Sequence, residues 1–200
     1  MKKIWILVLT VILLTGCGGY TDATLEVPSN WAEYELGDLD FKFYAGWTRE
    51  ETSGLTAQME SSLTALGGVN TTTMLASYAS PVGEQGAKNY LIFASMTMEE
   101  AMVAEDLETI MDSFNEMARS MKNSFAIGAE ISQTAKIREY AGNDALTLAY
   151  KVSYEEAESL VQVAMIPKGK TMYVISYADF STAQDNKDLE MVLSSLKLGK

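Results

Sequence analysis

Apolar and polar residues alternate on both sides of the pair Gly37-Asp38. The three residues before this pair read YEL and the five after it read LDFKF, so every second side chain is apolar. Alternation with a period of two around a glycine-containing pair is typical of a β-hairpin. The pattern therefore predicts two antiparallel strands that meet at Gly37-Asp38.

Three other segments have apolar residues at intervals of three and four, which is the spacing of an amphipathic helix. The first runs from Leu55 to Leu66 and ends at Gly67-Gly68. The second runs from Leu107 to Met121, with acidic residues near its start and Lys122 near its end, as the helix dipole favours. The third begins at about Asp185 and carries Leu189, Val192, Leu193 and Leu196 on one face. We expect these apolar faces to cover a sheet.

The remaining segments have the composition of β-strands separated by turn residues. Two strands are predicted within TTMLASYAS and NYLIFASMTM, and four more follow residue 128. These four strands are Ala129–Glu139, Ala145–Tyr154, Ser159–Ile166 and Thr171–Tyr177. Their regular spacing, with turns at 141–143, 155–158 and 168–170, predicts an antiparallel meander. Together with the helices, this order predicts an α+β domain in which helices cover an antiparallel sheet.

Several short motifs in these elements resemble the Mog1/PsbP-like family. The hairpin ends in Tyr44-Ala45-Gly46-Trp47, an aromatic-x-x-Trp motif, while GNDALTLAY, GKTMYVISY and MVLSSLKL lie in the meander and the closing helix. The resemblance covers about Trp31 to Leu198, and it implies an α/β/α sandwich with non-catalytic binding. The sequence departs from the family at Ala45, where many relatives have proline. The resemblance carries over no metal-binding or partner-binding residue.

The first 16 residues have the pattern of a secretory signal peptide. Lys2 and Lys3 precede an uncharged run from Ile4 to Leu14, which is too short for a membrane-spanning helix of about 20 residues. The run ends in Leu14-Thr15-Gly16-Cys17, which resembles the lipobox of bacterial lipoproteins. That resemblance implies cleavage before Cys17 and a diacylglyceryl group on its sulfur.

These patterns divide the chain into three regions. We expect a lipoprotein signal peptide at 1–16, a lipidated N-terminus with a flexible tether at 17–30, and a single α+β domain at 31–200. The domain is expected outside the cytoplasm, on the outer face of the cytoplasmic membrane or on the periplasmic side. Because Cys17 is the only cysteine, no disulfide bond stabilises the chain, and stability must come from its core.

Acidic residues outnumber basic ones. Loss of residues 1–16 removes two lysines and no acidic residue, which leaves 13 basic and 27 acidic residues and a net charge of −14. Such a surface repels nucleic acid and anionic lipid headgroups, so we expect no nucleic-acid partner and a membrane partner only through the lipid on Cys17. A soluble acidic surface explains the charge best, and a cation or a basic protein is the alternative partner.

The residue types exclude several kinds of chemistry. The chain has no histidine, which removes Ser-His-Asp and Cys-His catalysis and imidazole metal sites. It also has no phosphate-binding glycine motif. We therefore predict no catalytic residue, no cofactor and no metal site.

Three candidate clusters are explained more simply by structure. The methionines Met96, Met98 and Met102 have the spacing of thioether copper ligands, but their pattern favours core positions. The acidic groups at 38–40, 155–158 and 185–188 lack the twelve-residue calcium loop and fit turns and a helix cap. Trp31 and Trp47 are predicted as core anchors rather than the lining of a ligand groove.

The function predicted from these observations is a membrane-anchored binding or accessory module for an envelope protein or a small ligand. The alternatives are a carboxylate-based hydrolase of a cell-wall polymer, which needs two carboxylates across a cleft, and an envelope protein that binds divalent cations. The sequence names no residue for either alternative.

Overall fold

The computed structural model of the chain describes residues 20–50, 69–82, 88–113, 129–154, 157–180 and 186–199. In chain order its elements are β1 (Ala32–Leu36), β2 (Leu39–Phe43), β3 (Thr48–Arg49), β4 (Val69–Ala79), β5 (Tyr90–Met102), α1 (106–113), β6 (Ala129–Tyr140), β7 (Asn143–Tyr154), β8 (Ala157–Asp179), α2 (Asp188–Ser195) and β9 (Lys197–Leu198). Helix α1 reaches the end of its described segment.

The strands form two antiparallel sheets. The small sheet has the order β1-β2-β9, and the large sheet has the order β3-β4-β5-β8-β7-β6. Helices α1 and α2 are the only α-helices in the described part of the chain. The fold is therefore mostly antiparallel sheet in two layers, and the predicted α/β/α sandwich covered by helices was wrong.

The β1–β2 hairpin shows why the predicted fold was wrong. Its predicted turn is confirmed, since Leu36 pairs with Leu39 across Gly37-Asp38. However, β2 also pairs with β9, and Leu39 lies opposite Leu198 in a sheet of its own. The alternation of side chains along β2 is the same whether the hairpin extends the large sheet or forms a second sheet over it. The sequence pattern alone does not distinguish these two arrangements.

The meander is confirmed in its first part. Strands β6 and β7 pair along their full length, and Tyr140 lies opposite Asn143. The two residues between them, Ala141 and Gly142, have φ angles of 49° and 79°. Positive φ at both central residues defines a type I′ turn, whose twist matches that of the flanking strands.

Strand β8 differs from the prediction. The sequence predicted two strands with a turn at 168–170, whereas the structure has one strand element of 23 residues, which contains Gly169 with a positive φ at the predicted turn. Residues up to Met165 pair with β7, and residues from Gly169 onward pair with β5. The two predicted strands are thus two halves of one element, each with its own partner.

Gly169 marks the change of partner and has a φ of 60°. A straight strand of this length would extend for about 75 Å. Met165 and Met172, one from each half, nevertheless belong to the same core cluster. The chain must therefore change direction sharply at Gly169, where glycine adopts a positive φ without steric cost.

The large sheet has a core on each face. On the first face, aromatic residues of the small sheet and apolar residues of α2 pack against β4, β5 and β8. On the second face, Leu107 of α1 packs with a cluster rich in methionine. Neighbouring residues Phe93 and Ala94 of β5 belong to the first and second core respectively, as expected because side chains of a strand alternate between faces.

The described residues test the three helix predictions to different extents. The last one is confirmed, although it begins at Asp188 rather than at about Asp185, and it buries Leu189, Val192 and Leu193. The helix predicted from Leu107 to Met121 is confirmed as far as residue 113. Residues 114–121 and the helix predicted from Leu55 to Leu66 lie outside the described residues. No helix within the described segments is both long enough and apolar enough to cross a membrane.

Candidate binding site beside the amino end of helix α2

The amino end of α2 lies between two polar groups of side chains. Its burial along Leu189, Val192 and Leu193 fixes the helix against the first core. Two acidic residues, Asp188 and Glu190, lie in its first turn, where the positive end of the helix dipole favours negative charge. Asp188 contacts a cluster of tyrosines, and Glu190 lines a cleft above β6, β7 and β8.

The tyrosine cluster surrounds a buried carboxyl group. The Tyr44 hydroxyl donates a hydrogen bond of 3.1 Å to Oδ1 of Asp188. Tyr177 interacts with the same carboxyl group, and Asp179 lies close enough for its charge to act on it. Asp188 and Asp179 are only 8% and 6% exposed. The cluster therefore holds two acidic residues in a largely dry environment.

This environment changes the acidity of the groups in it. Burial raises the pKa of Asp188 above its usual 3.8, and hydrogen bonds from Tyr177 and Tyr44 partly oppose that rise. Burial, followed by the charge of Asp188, raises the pKa of Tyr44 to about 12. The same two causes raise the pKa of Tyr177 further. Both tyrosines thus remain neutral hydrogen-bond donors at physiological pH.

Two tryptophans pack around the cluster. Trp31 is buried, and its ring centroid lies 5.0 Å from that of Tyr44. Trp47 is half-buried and packs against Phe43, with ring centroids 4.7 Å apart. The prediction that these tryptophans are core anchors is confirmed, since both pack on the first core. Tyr44, at 38% exposed, is the most exposed member of this group.

The cleft on the other side of α2 has a volume of about 260 Å³. Thr147 and Gln162 line it from β7 and β8, and Lys136 lines it from β6. The residues before and within the first turn of α2 close it, with Lys187 and Glu190 among them. Positive and negative side chains therefore line one small depression, together with the apolar residues Leu148, Ala149 and Leu189.

Gln162 is the most informative residue of the cleft. It is 9% exposed, and its Nε2 donates a hydrogen bond of 3.2 Å to the backbone oxygen of Asn186. Its Oε1 is buried and accepts no hydrogen bond from the described residues. A buried polar atom without a partner costs about 1–3 kcal/mol, so a water, ion or ligand that donated a hydrogen bond to Oε1 would stabilise the folded protein.

Tyr140 places a second buried polar group near the cleft. Its hydroxyl is buried and lies close to the side chains of Thr147 and Glu190, which both line the cleft. Burial and the charge of Glu190 raise the pKa of Tyr140 to about 12. Glu190 lines the cleft. Two buried polar side chains, from β6 and β8, therefore lie around one depression, and Oε1 of Gln162 is the atom among them that has no partner in the described part of the chain.

A second depression of about 470 Å³ adjoins the first. Lys187 and Glu190 belong to both, and Arg138 lines the second. Residues 21–25, which follow the predicted lipidation site, form its other wall. The N-terminal segment thus lies beside the candidate binding site.

The other sequence candidates do not form a site. Met96 is buried in the second core, and Met98 and Met102 pack against it, which confirms the prediction of core positions. Within the described residues, no group of three or more acidic or cysteine side chains is placed to hold a metal ion. Cys17, the predicted lipidation site, lies outside the described residues.

Sequence reasoning did not identify Gln162, Tyr140 or the Asp188 cluster. One signal was present for Gln162, because it interrupts the apolar run LVQVAMI at a position whose side chain must face the core. A polar residue at such a position requires a partner. Tyr44 and Asp188 are separated by 144 residues, so no local pattern could connect them.

Comparison with known proteins shows only a similarity of fold. No protein-family model matches the sequence, and no curated protein matches it. A solved protein from Bacteroides thetaiotaomicron is similar, with a TM-score of 0.50 and 10% identity over 82% of this chain and 46% of the other. This chain thus spans about half the length of that protein. A protein of unknown function from Pseudomonas aeruginosa has a TM-score of 0.31 and 11% identity, over 76% and 85% of the two chains.

Proposed function

We propose that the chain is a lipid-anchored, extracytoplasmic lipoprotein that binds a small polar molecule in the cleft beside α2. The observation that carries the binding function is Gln162, whose buried Oε1 has no hydrogen-bond donor among the described residues and whose side chain lines the cleft. The lipobox Leu14-Thr15-Gly16-Cys17 supports the anchor and the location.

The cleft suits a ligand that has both hydrogen-bond donors and an anionic or carbonyl group. Oε1 of Gln162 needs an N–H or O–H donor, and Glu190 accepts donors as well. Lys136 and Lys187 supply positive charge for an anionic or carbonyl group. A volume of about 260 Å³ limits the ligand to a small molecule or to one unit of a larger one. Binding without chemical conversion is the simplest use of these residues.

Carboxylate-based hydrolysis is less well supported. The charge of Asp179 acts on Asp188, and a pair of neighbouring carboxyl groups is what such catalysis requires. Both are buried, however, and Asp188 is engaged with Tyr44 and Tyr177. A glycosidase must place two carboxyl groups on either side of a bound polymer. The described residues provide no such open arrangement around this pair.

Ligand-dependent unfolding of the lipidated full chain in detergent micelles tests the proposal. The probes are N-acetylglucosamine, L-alanine and inorganic phosphate, which differ in charge and in donor groups. A probe that binds only the folded state adds about 2.7 kcal/mol of stability at a hundredfold excess over Kd. We expect at least one probe to raise the melting temperature of the wild-type protein.

Two variants locate the binding. Gln162→Met removes the buried amide with little change in volume, and Lys136→Met removes one charge from the cleft. Lys170→Met is the matched control, because Lys170 bonds to the backbone oxygen of Glu99 and does not line the cleft. The shift should decrease in the first two variants and persist in the control. Absence of any shift, or an equal shift in all variants, would reject the cleft as the binding site.

A further inference from the structure

The segment that follows the predicted lipidation site is attached to the domain. The backbone nitrogen of Ala23 donates to the oxygen of Glu139 at 2.8 Å, and the nitrogen of Glu139 donates to the oxygen of Thr21 at 3.1 Å. Asp22 and Glu139 form a parallel bridge. These backbone bonds place residues 21–23 along the edge strand β6 of the large sheet.

Further bonds hold both ends of this segment. The Tyr20 hydroxyl donates to the backbone oxygen of Ala104 at 3.2 Å, just before α1. The backbone nitrogen of Ala141 donates to Oγ1 of Thr24 at 2.8 Å. The nitrogen of Leu25 donates to Oγ of Ser194 at 2.7 Å. The attachment therefore begins at Tyr20 and spans the loop before α1, the β6–β7 turn and the end of α2.

The distance between the anchor and the attached segment is short. Only Gly18 and Gly19 separate Cys17 from Tyr20. Three residue steps extend for at most about 11 Å. A lipid on Cys17 therefore holds Tyr20 within about this distance of the polar surface of the bilayer. So short a link keeps the attached end of the domain beside the bilayer, whereas a longer tether would let the domain move away from the bilayer and turn.

The hydrogen bonds identify the end of the sheet that is nearest to the lipid. Met102 at the end of β5 lies opposite Gly169, and Val103 and Ala104 follow it in the chain. The opposite end of β5 is at Tyr90, which pairs with Ala178. The 13 residues of β5 separate these ends by about 40 Å.

We propose that the protein stands on the lipid bilayer in one orientation, with the end of the large sheet that carries Tyr20, Val103 and Gly142 facing the membrane. The end that carries Val82 and Phe180 faces away. This inference rests on the lipid anchor of the proposed function, and it is independent of the cleft. The partner of the membrane-facing end is the headgroup region of the bilayer, reached through the lipid on Cys17.

Two exposed valines provide a matched pair of reporters. Val103 is 55% exposed at the proposed membrane-facing end, and Val82 is 61% exposed near the opposite end, two residues beyond Ser80, whose nitrogen bonds to Asn89. Each is replaced by cysteine in the lipidated full chain. Because Cys17 is the only native cysteine and its sulfur carries the lipid, a thiol-reactive fluorophore labels only the new residue.

The labelled proteins are reconstituted into phosphatidylcholine vesicles that contain a lipid with a spin-labelled headgroup, which quenches nearby fluorophores. We expect quenching at V103C to exceed that at V82C several-fold. Insertion of twelve Gly/Ser residues between Gly19 and Tyr20 should remove this difference while the protein remains on the vesicles. If quenching differs between the two positions only when the link is short, the result supports the fixed orientation.

The outcomes separate the two proposals. Equal quenching at the two positions, with the protein still bound to vesicles, would overturn the orientation and leave the anchor intact. A difference that persists after the insertion would show that the domain itself binds lipid, which also overturns an orientation set by the link. Labelling of Cys17, or release of the protein from vesicles, would reject the lipid anchor and the orientation together.

Discussion

The hydroxyl group of Tyr44 donates a 3.1 Å hydrogen bond to the buried carboxyl group of Asp188. This bond joins the residue after β2 to the first residue of α2, so it connects the small sheet to the helix that lies beside it. Tyr44 is partly exposed, whereas Asp188 is buried. The pair therefore links the buried carboxyl group of Asp188 to a side chain that reaches solvent.

Tyr44→Phe should lower the free energy of unfolding by about 1–3 kcal/mol at neutral pH, because it removes a donor to a charged, buried acceptor. The loss should be smaller at about pH 3, where the carboxyl group is protonated and accepts a weaker bond. Urea denaturation at the two pH values measures both effects. Tyr34→Phe is the control, since the Tyr34 hydroxyl donates to the backbone oxygen of Tyr44 and its loss should not depend on pH in this way.

Asp188→Asn should change the pH dependence of stability. The folded protein binds a proton at Asp188 more tightly than the unfolded chain does, since burial raises the pKa above 3.8. The contribution of Asp188 to stability is therefore fully present below pH 3.8 and is lost as the pH rises through the raised pKa. The variant lacks this loss, so it should gain stability relative to wild type as the pH rises. Parallel stability curves from about pH 3 to pH 7 would contradict this prediction.

Gln162→Met should change the free energy of unfolding by less than about 1 kcal/mol in the absence of ligand. It removes the unpartnered acceptor Oε1, but it also removes the bond from Nε2 to the backbone oxygen of Asn186, and the two effects oppose each other. Thermal unfolding of the two proteins without added ligand tests the expectation. Leu160→Ala, in the same strand but at a fully buried apolar position, should instead lose about 2–5 kcal/mol. A loss of more than about 2 kcal/mol in Gln162→Met would indicate that Oε1, as well as Nε2, is satisfied within the folded chain.

The two sheets should be energetically coupled through Phe41 and Phe93. Their ring centroids are 4.3 Å apart, and the residues belong to the small and the large sheet respectively. A double-mutant cycle with Phe41→Leu and Phe93→Leu should give a coupling energy of about 0.5–1.5 kcal/mol. The same cycle between Phe41 and Met172, which lies in the other core, should give a value near zero. Equal coupling energies in the two cycles would show that the coupling does not come from the contact between Phe41 and Phe93.

Two substitutions in the β6–β7 turn should change the stability of the protein in opposite directions. Ala141 has a φ of 49°, which costs a residue with a Cβ atom about 1–2 kcal/mol. Ala141→Gly should therefore raise stability, by up to about 1 kcal/mol after the greater flexibility of the unfolded chain is included. Gly142→Ala should lower it by about 1 kcal/mol, because Gly142 has a φ of 79°. Thermal unfolding measures both, and shifts of the same sign would argue against a type I′ turn.

Local patterns predicted the elements better than their assembly. The alternation around Gly37-Asp38 and the turn at Ala141-Gly142 are properties of adjacent residues, and both are confirmed. The pairing of β2 with β9 joins Leu39 to Leu198, and nothing within either segment specifies it. The sandwich prediction failed for this reason, since it assumed that all strands share one sheet.

The residues of the candidate site are also far apart in the sequence, so local patterns could not identify the site. Gln162 gave a local signal as a polar residue within an apolar strand. Its significance depends on α2, which supplies the backbone oxygen of Asn186 and the charges of Lys187 and Glu190. Residues so distant in sequence form a site only once the sheet and the helix are assembled.

The order of strands in the large sheet has a kinetic consequence. Met96 of β5 pairs with Met172 of β8, so the centre of the sheet joins segments about 76 residues apart, and β2 finds its second partner only at Leu198. Contacts between such distant segments slow folding, because a long loop must close before any contact forms. Until β8 arrives, the apolar edge of β5 is unpaired and open to other chains. A chain that emerges amino end first must therefore stay in an unfinished, aggregation-prone state until its last segments are available.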